Sequence, residues 1–312
     1  MERKLIRVGT RGSRLALTQT AIVIEALRTA HPNVEFEPVV VKTQGDSNRS
    51  ASISSLGVGV FVKALEDALE DGRIDMAVHS LKDLTSVMPP GFRLAAVPGR
   101  EDPRDVLVSR QGGGLAGLPQ GARVATGSTR RQALALDARP DLAVEPVRGN
   151  VETRMAKVQE NDGPNAVILA AAGLARLGHT GSVSEFLDPE TFVPAVGQGA
   201  LAVEIRDDDN ETRRYAAAID DLTIRAAVEA ERSFLAAIGG GCLAPTSAYA
   251  TGPEGKLRLN AFASDAKGRR IIRGSDSGDE RDAEEIGRRL AIHLLDQGAD
   301  ELLEPFRERP NG

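Results

Sequence analysis

The chain has 312 residues, 41% hydrophobic and 27% charged, so it is long enough for two or three compact domains and too apolar for general disorder. Its formal net charge of -6 and aromatic share of 3% argue against nucleic acid or an anionic membrane as a partner. One cysteine cannot form an internal disulfide and the N-terminus has no uninterrupted apolar stretch, so we expect a protein of the reducing cytoplasm without a membrane span.

The first hundred residues alternate strand-like and helix-like patterns. β-Branched runs at 5–8 and 36–41 flank a helical repeat from Leu17 to Leu27. A second helical face, from Phe61 to Leu69, ends near Gly72 and precedes a strand at 76–79. This alternation predicts β-α-β units, with helices on the faces of a largely parallel sheet.

A polar, proline-containing link near 98–104 separates this series from a second one. The second series has predicted strands at 106–109, 123–125 and 166–170 and helices near 132–138 and 151–160. After it, a strand-like run at 201–205 and a charged stretch at 206–214 indicate that the chain returns to the first unit.

The pattern beyond residue 220 differs, with a helix at about 223–238, strands at 247–250, 257–263 and 270–274, and a C-terminal helix. We therefore expect an α/β protein of three domains. The predicted domains are a discontinuous first lobe (1–99 and 200–217), a second lobe (104–195) joined to it by a hinged cleft, and a small α+β domain (220–312).

Cys242 follows the three glycines 239–241, which predicts a loop. Two interpretations stay open: an exposed reactive thiol, or a small buried hydrophobe. The four histidines are scattered, with neither a nucleophile signature nor metal-ligand spacing. A cysteine-dependent hydrolase and a metal site are therefore not favoured.

Four polar stretches rich in anion donors lie at predicted junctions between strands, loops and helices. They are the stretches at 10–13, 77–83, 126–131 and 148–154. Backbone N–H groups at a helix start and the planar fork of arginine both bind carboxylates, so a ligand with many carboxylates is expected. Solvated surface charge is the alternative for each arginine, and a helix cap is the alternative for Asp83.

Six ordered motifs resemble the porphobilinogen deaminase (hydroxymethylbilane synthase) family over nearly the whole chain. They are GTRGS at 9–13, AVHSLKD at 77–83, EDPRD at 101–105, RGN at 148–150, PAVGQGA at 194–200 and GGC at 240–242. The resemblance implies two lobes like those of a type II periplasmic binding protein, with a third domain that carries the cysteine. It also implies a transferase, acting as a monomer on the small-molecule substrate porphobilinogen.

By the same resemblance, Cys242 holds a dipyrromethane cofactor as a thioether. Four porphobilinogen units are added to it before hydrolysis releases linear hydroxymethylbilane. Asp83 is then the carboxylate that faces the pyrrole nitrogens, where positive charge develops after ammonia leaves. The residues matched as cofactor and substrate contacts are Arg11, Ser13, Gln19, Lys82, Ser128, Arg130, Arg131, Arg148, Arg154, Arg176 and Gln198.

Two stretches depart from the pattern of bacterial family members. Gly57-Val58-Gly59 replaces a common Gly-Lys-Gly, and Gly127-Ser128-Thr129 replaces Ser-Ser-Leu. A non-catalytic two-lobe anion-binding or sensor protein is the main alternative function, because two hinged lobes can simply clamp an anion. The cysteine-bearing third domain and Asp83 favour the enzyme.

Overall fold

The computed structural model describes residues 4–42, 60–239, 243–253 and 255–307. These residues belong to two compact units. Unit 1 comprises Met1–Glu101 and Gly199–Arg225, and unit 2 comprises Asp102–Gln198 and Ala226–Gly312.

Both units contain strands and helices. The strands are β1 (Lys4–Thr10), β2 (Val34–Val40), β3 (Met76–Ser80), β4 (Phe92–Ala96), β5 (Asp105–Ser109), β6 (Arg123–Ala125), β7 (Ala143–Glu145), β8 (Ala166–Ala170), β9 (Glu185–Phe186), β10 (Leu201–Arg206), β11 (Thr246–Thr251), β12 (Lys256–Ser264) and β13 (Ile271–Asp279). The helices are α1 (Arg14–Ala30), α2 (Val60–Glu70), α3 (Thr129–Ala138), α4 (Val151–Gln159), α5 (Ala171–Leu177), α6 (Asn210–Ala217), α7 (Leu222–Ile238), α8 (Ala283–Asp296) and α9 (Ala299–Leu303).

Unit 1 is built on a five-stranded sheet with the order β2-β1-β3-β10-β4. Strand β1 pairs in parallel with β2 and β3, whereas β10 runs antiparallel between β3 and β4. Helix α1 buries Val23, Ile24 and Leu27 against one face of the sheet. Helix α2 covers the opposite face with Leu65 and neighbouring apolar residues. The two helices thus exclude water from both faces of the central strands.

The second lobe, which forms the N-terminal part of unit 2, has a sheet of the same kind with the order β7-β6-β8-β5-β9. Strand β6 pairs in parallel with β7 and β8, and β5 pairs antiparallel with β8. The carboxyl ends of β6, β7 and β8 therefore lie at one edge of this sheet, together with the first residue of β5.

An antiparallel three-stranded sheet, β11-β12-β13, forms the C-terminal part of unit 2. Its core contains Phe234 of α7 and Leu290 of α8. Phe262 of β12 is fully buried and packs in a different cluster, with Leu107 of β5 and Leu134 of α3. The C-terminal sheet and the second lobe thus share part of a hydrophobic core.

The predicted fold class is confirmed: two α/β lobes accompany a small C-terminal domain of sheet and helices. The predicted strands at 123–125 and 166–170 match β6 and β8. Short elements, among them β4, β7, β9 and α5, were not predicted, and neither was α6 inside the charged stretch. The boundaries of the three domains and the cleft between the lobes stay predictions. Within the described ranges, no helix is both long and apolar enough to cross a membrane.

Candidate active site

Two of the predicted polar junctions lie at the same edge of the unit 1 sheet. Strands β1 and β3 are parallel, with Gly9 in register with Ala77, so both strands end at this edge. Arg11 and Ser13 follow β1, and the 3-10 turn Leu81–Asp83 follows β3. Ser13 begins α1, where its side-chain oxygen accepts a hydrogen bond of 3.3 Å from the Ala16 N–H.

The turn that carries Asp83 is held by backbone hydrogen bonds. The Leu81 N–H donates to the Ala200 carbonyl at 3.0 Å, and the Leu84 N–H closes the turn on Leu81 at 3.0 Å. Asp83 and Lys82 are both exposed. Ser80, rather than Asp83, occupies the cap position, and within the described chain the Asp83 carboxylate accepts no hydrogen bond. The structure therefore leaves the Asp83 carboxylate accessible, which the helix-cap interpretation does not explain.

Gln19 is buried beneath this turn and is not exposed at the protein surface. Its side chain is buried, and its Nε2 donates to the Ser80 Oγ at 2.7 Å. Because Ser80 directly precedes the 3-10 turn, this bond ties α1 to the end of β3.

A buried cluster of charged groups lies at the corresponding edge of unit 2. Asp105 begins β5 opposite Ala170 and is completely buried. Arg131 binds it through Nε at 3.0 Å and Nη2 at 2.7 Å, and Arg130 Nη1 lies 2.7 Å from its other oxygen. Two guanidinium groups and one carboxylate leave the cluster with one net positive charge.

The charges in this cluster determine the ionisation of Asp105. Burial by itself raises the pKa of the Asp105 carboxyl, but Arg130, Arg131 and a hydrogen bond from Gln198 together hold that pKa well below its usual range. Asp105 is therefore a carboxylate at neutral pH.

Backbone carbonyls and Gln198 complete the cluster. Arg130 donates to the Val193 carbonyl at 2.6 Å, and Arg131 donates to the Ile168 carbonyl at 3.1 Å. Gln198 is buried, and its Nε2 donates to Asp105 at 2.9 Å and to the Pro103 carbonyl at 2.7 Å. Like Gln19, Gln198 is buried and donates a hydrogen bond to another predicted or observed residue of the site.

The remaining predicted residues of unit 2 occupy helix starts and one helix end. Ser128 caps α3 by accepting from the Arg131 N–H at 3.4 Å. Arg148 is exposed just before α4, and Arg154 in the first turns of α4 donates to the Gly149 carbonyl at 2.7 Å. Arg176 lies in the last turn of α5, the end farther from the edge at which β8 stops. The structure thus brings Ser128, Arg130 and Arg131 together on α3, and places Arg176 apart from the strand ends.

Two predictions lie outside the described residues. They concern Cys242 with Gly240 and Gly241, and the 57–59 stretch that lacks the usual lysine.

Asp105 was missed as a site residue, although it belongs to the quoted motif at 101–105. A usable signal was present: an acidic residue directly before a run of apolar strand residues has to be buried there, and a buried carboxylate requires charged partners. The adjacent pair Arg130 and Arg131 could supply them.

Family models match both parts of the chain. The model described as "Porphobilinogen deaminase, dipyromethane cofactor binding domain" matches residues 6–214, and the model described as "Porphobilinogen deaminase, C-terminal domain" matches residues 225–296.

Relatives match almost end to end. The porphobilinogen deaminase of Roseiflexus sp. is 47% identical over 97% of this chain and 99% of its own length. That of Syntrophobacter fumaroxidans is 44% identical over 97% of this chain and 98% of its own length. That of Deinococcus radiodurans is 43% identical over 98% of this chain and all of its own length.

Solved structures of other proteins share only a distant likeness. The VFT2 domain of Bordetella pertussis BvgS is 16% identical, covers 70% of this chain and 87% of its own, and has a TM-score of 0.43. A likeness of this size says nothing about what this chain binds. The match of both family models and of full-length relatives does decide the relationship, and the chain belongs to the porphobilinogen deaminase family.

Proposed function

We propose that this chain is a hydroxymethylbilane synthase of tetrapyrrole biosynthesis. It condenses four porphobilinogen molecules on a dipyrromethane cofactor, releases one ammonia at each condensation, and frees the linear product by hydrolysis. The observation that carries the proposal is the match to the family over both lobes and the C-terminal domain. The rival function, a non-catalytic anion-binding protein, does not account for the match of the C-terminal domain.

The charged cluster of unit 2 fits a cofactor that carries carboxylates. Each pyrrole of the family's cofactor and substrate bears an acetate and a propionate. Arg130 and Arg131 retain one net positive charge after pairing with Asp105, and Arg148 and Arg154 lie at the helix that starts from the same sheet edge. Charge-assisted hydrogen bonds of about 1.5–3 kcal/mol each hold such anions while allowing them to be exchanged.

The cofactor, when bound through Cys242, supplies a free pyrrole α-carbon on which the product is built. We assign Cys242 as its thioether attachment, and Ser128, Arg130, Arg131, Arg148, Arg154 and Arg176 as the unit 2 residues that bind its carboxylates or those of the substrate.

Asp83 is assigned the catalytic role in unit 1. Its carboxylate is exposed at the end of β3, and positive charge develops on the pyrrole nitrogen of porphobilinogen as ammonia leaves. A fixed carboxylate stabilises that charge most strongly where water is excluded. Arg11, Ser13 and Lys82 surround the same strand ends and bind substrate carboxylates.

Gln19 and Gln198 receive a different role from the one that the resemblance implied. Both side chains are buried and donate to other site residues, Gln19 to Ser80 and Gln198 to Asp105. We therefore assign them to positioning these residues and not to contact with the ligand.

The proposal includes a monomer that works in the cytoplasm, with domains at 1–99 plus 200–217, 104–195 and 220–312. Support comes from the single cysteine, which cannot form an internal disulfide, and from hydrophobic cores completed within one chain.

Intact-mass spectrometry of the denatured protein tests the function. We expect the wild-type mass to exceed that of the bare chain by one dipyrromethane unit, and Cys242→Ser to show the bare mass and no turnover. Asp83→Asn should keep the adduct but release ammonia from porphobilinogen at least about 100-fold more slowly. A bare mass in wild-type protein that still turns over would refute the tether, and a near-normal rate of Asp83→Asn would remove Asp83 from its role.

A further inference from the structure

Unit 1 contains a buried histidine–glutamate hydrogen bond that the proposed chemistry does not use. His79 Nε2 lies 2.8 Å from Glu204 Oε2, and the side chains are only 4% and 0% exposed. Each residue follows three consecutive apolar residues of its strand, His79 in β3 and Glu204 in β10. A carboxylate can only accept, so Nε2 carries the hydrogen and donates to Glu204.

The register of the sheet places both side chains on the face that α2 covers. Ala77 lies opposite Glu204, and His79 lies opposite Ala202, so the bond crosses diagonally between neighbouring strands. Ala77 packs in the cluster under α2, and side chains two apart on a strand share a face. Glu66 of α2 lies on the same face. The pKa of its carboxyl is raised, mainly by burial and next by the charge of Glu204.

Stability alone does not explain this pair. Replacing a buried, hydrogen-bonded pair of ionisable side chains by apolar residues of similar volume is often neutral or stabilising, because removing both partners avoids the cost of their desolvation. A buried hydrogen bond is directional, however, and fixes the relative position of two strands in a way that apolar packing does not.

The pair lies next to the turn that carries Asp83. His79 is followed at once by Ser80, which Gln19 holds at 2.7 Å, and by Leu81, whose N–H binds the Ala200 carbonyl at 3.0 Å. Ala200 directly precedes β10, the strand that carries Glu204. His79 is therefore the side-chain link between β10 and the last residues of β3, four positions before Asp83.

We propose that His79 is a positioning residue for the condensation reaction: its hydrogen bond to Glu204 fixes the end of β3 and thereby sets the position of the Asp83 carboxylate. This inference rests on the role assigned to Asp83 in the proposed function. It predicts that losing the bond slows the chemical step while leaving cofactor attachment and substrate binding nearly unchanged.

A matched pair of variants isolates the hydrogen bond. The amide nitrogen of His79→Gln reaches the place of Nε2, whereas His79→Asn is equally polar but one methylene shorter and cannot reach Glu204. We expect His79→Gln to keep kcat within about threefold and His79→Asn to lower kcat roughly 10- to 100-fold, with KM within about twofold in both. Both variants should keep the adduct by intact mass.

A double-mutant cycle with Asp83→Asn tests whether His79 acts through Asp83. We expect His79→Asn to change the residual rate of Asp83→Asn by less than about twofold, because a carboxylate that is already absent cannot be displaced. An equal loss in both backgrounds overturns the inference while leaving the role of Asp83 intact. A near-normal rate of Asp83→Asn itself refutes the assigned role, and the inference with it.

A variant that avoids a folding defect completes the test. His79→Leu combined with Glu204→Met removes both buried polar side chains and keeps a similar side-chain volume, so the thermal midpoint should not fall. Its kcat should nevertheless drop at least about tenfold. A stable double variant with wild-type kcat overturns the inference.

Discussion

At the scale of single residues, Asp105 is expected to have a large effect on stability. It neutralises one of two adjacent buried guanidinium groups, so Asp105→Asn leaves Arg130 and Arg131 to repel each other without a counter-charge. Removing one partner from a buried ion pair costs about 3–5 kcal/mol. We expect a loss of that size in the free energy of unfolding measured with urea.

Asp137→Asn is the control, because Asp137 pairs with Arg273 where the two side chains are 40% and 37% exposed, and exposed pairs contribute at most about 1 kcal/mol. The pH dependence gives a second check. The pKa of Asp105 is depressed in the folded state, so its contribution to stability is complete above the ordinary pKa and is lost as pH falls toward the folded value. Between about pH 5 and 3 the wild type should therefore lose stability more steeply than Asp105→Asn. Equal slopes would contradict the pairing.

The cluster also shows what the sequence could not supply at this scale. The two arginines and the motif at 101–105 were recognisable from their residue types. The carboxylate that pairs with the two arginines is determined by strand register. Asp105 reaches α3 because β5 pairs with β8 in the register that places Asp105 opposite Ala170. Register between distant strands is a tertiary property, and local patterns do not encode it.

At the scale of elements, the turn before β10 depends on Gly199. Its φ is +88°, and a Cβ at this position would clash with the Glu101 carbonyl oxygen. Gly199→Ala should therefore lower the free energy of unfolding by about 2–4 kcal/mol, through backbone strain and overpacking together.

Gly178→Ala is the matched control for that prediction. Gly178 has a φ of +77°, but a Cβ there would meet nothing within 4 Å. Only the strain of placing an alanine at a positive φ remains, so the free energy of unfolding should fall by about 1 kcal/mol. Similar losses in the two variants, measured by the same urea titration, would rule out a close approach at Gly199.

Long periodic elements were predictable, and short or charged ones were not. Helix α1 has a continuous apolar face over seventeen residues, which the sequence shows directly. Strands β7 and β9 have three and two residues, too few for any period to appear. Helix α6 has little apolar content, and its start depends on Asp209, whose carboxylate accepts from the Thr212 N–H at 2.9 Å.

At the scale of the whole molecule, Phe262 joins the C-terminal sheet to the second lobe. It is fully buried beside Leu107 and Leu134, which belong to β5 and α3. Phe262→Ala should cost about 3–5 kcal/mol and speed amide hydrogen exchange in both parts of unit 2. Phe36→Ala is the control, because it truncates a fully buried ring of unit 1. In this variant, faster amide hydrogen exchange should be confined to unit 1. Faster exchange in the C-terminal sheet alone would show that the two parts of unit 2 do not share a core.

The antiparallel strand β10 has a consequence for synthesis on the ribosome. The sheet of unit 1 needs β10 between β3 and β4, yet β10 is translated after every strand of the second lobe, β5 to β9. Until residue 206 has emerged, β4 has no neighbour and one edge of β3 is open. Because domains fold as their last strand becomes available, the lobe that is encoded second completes its sheet first. The nascent chain therefore carries an unfinished N-terminal lobe from residue 96 to residue 206, through about a third of its elongation.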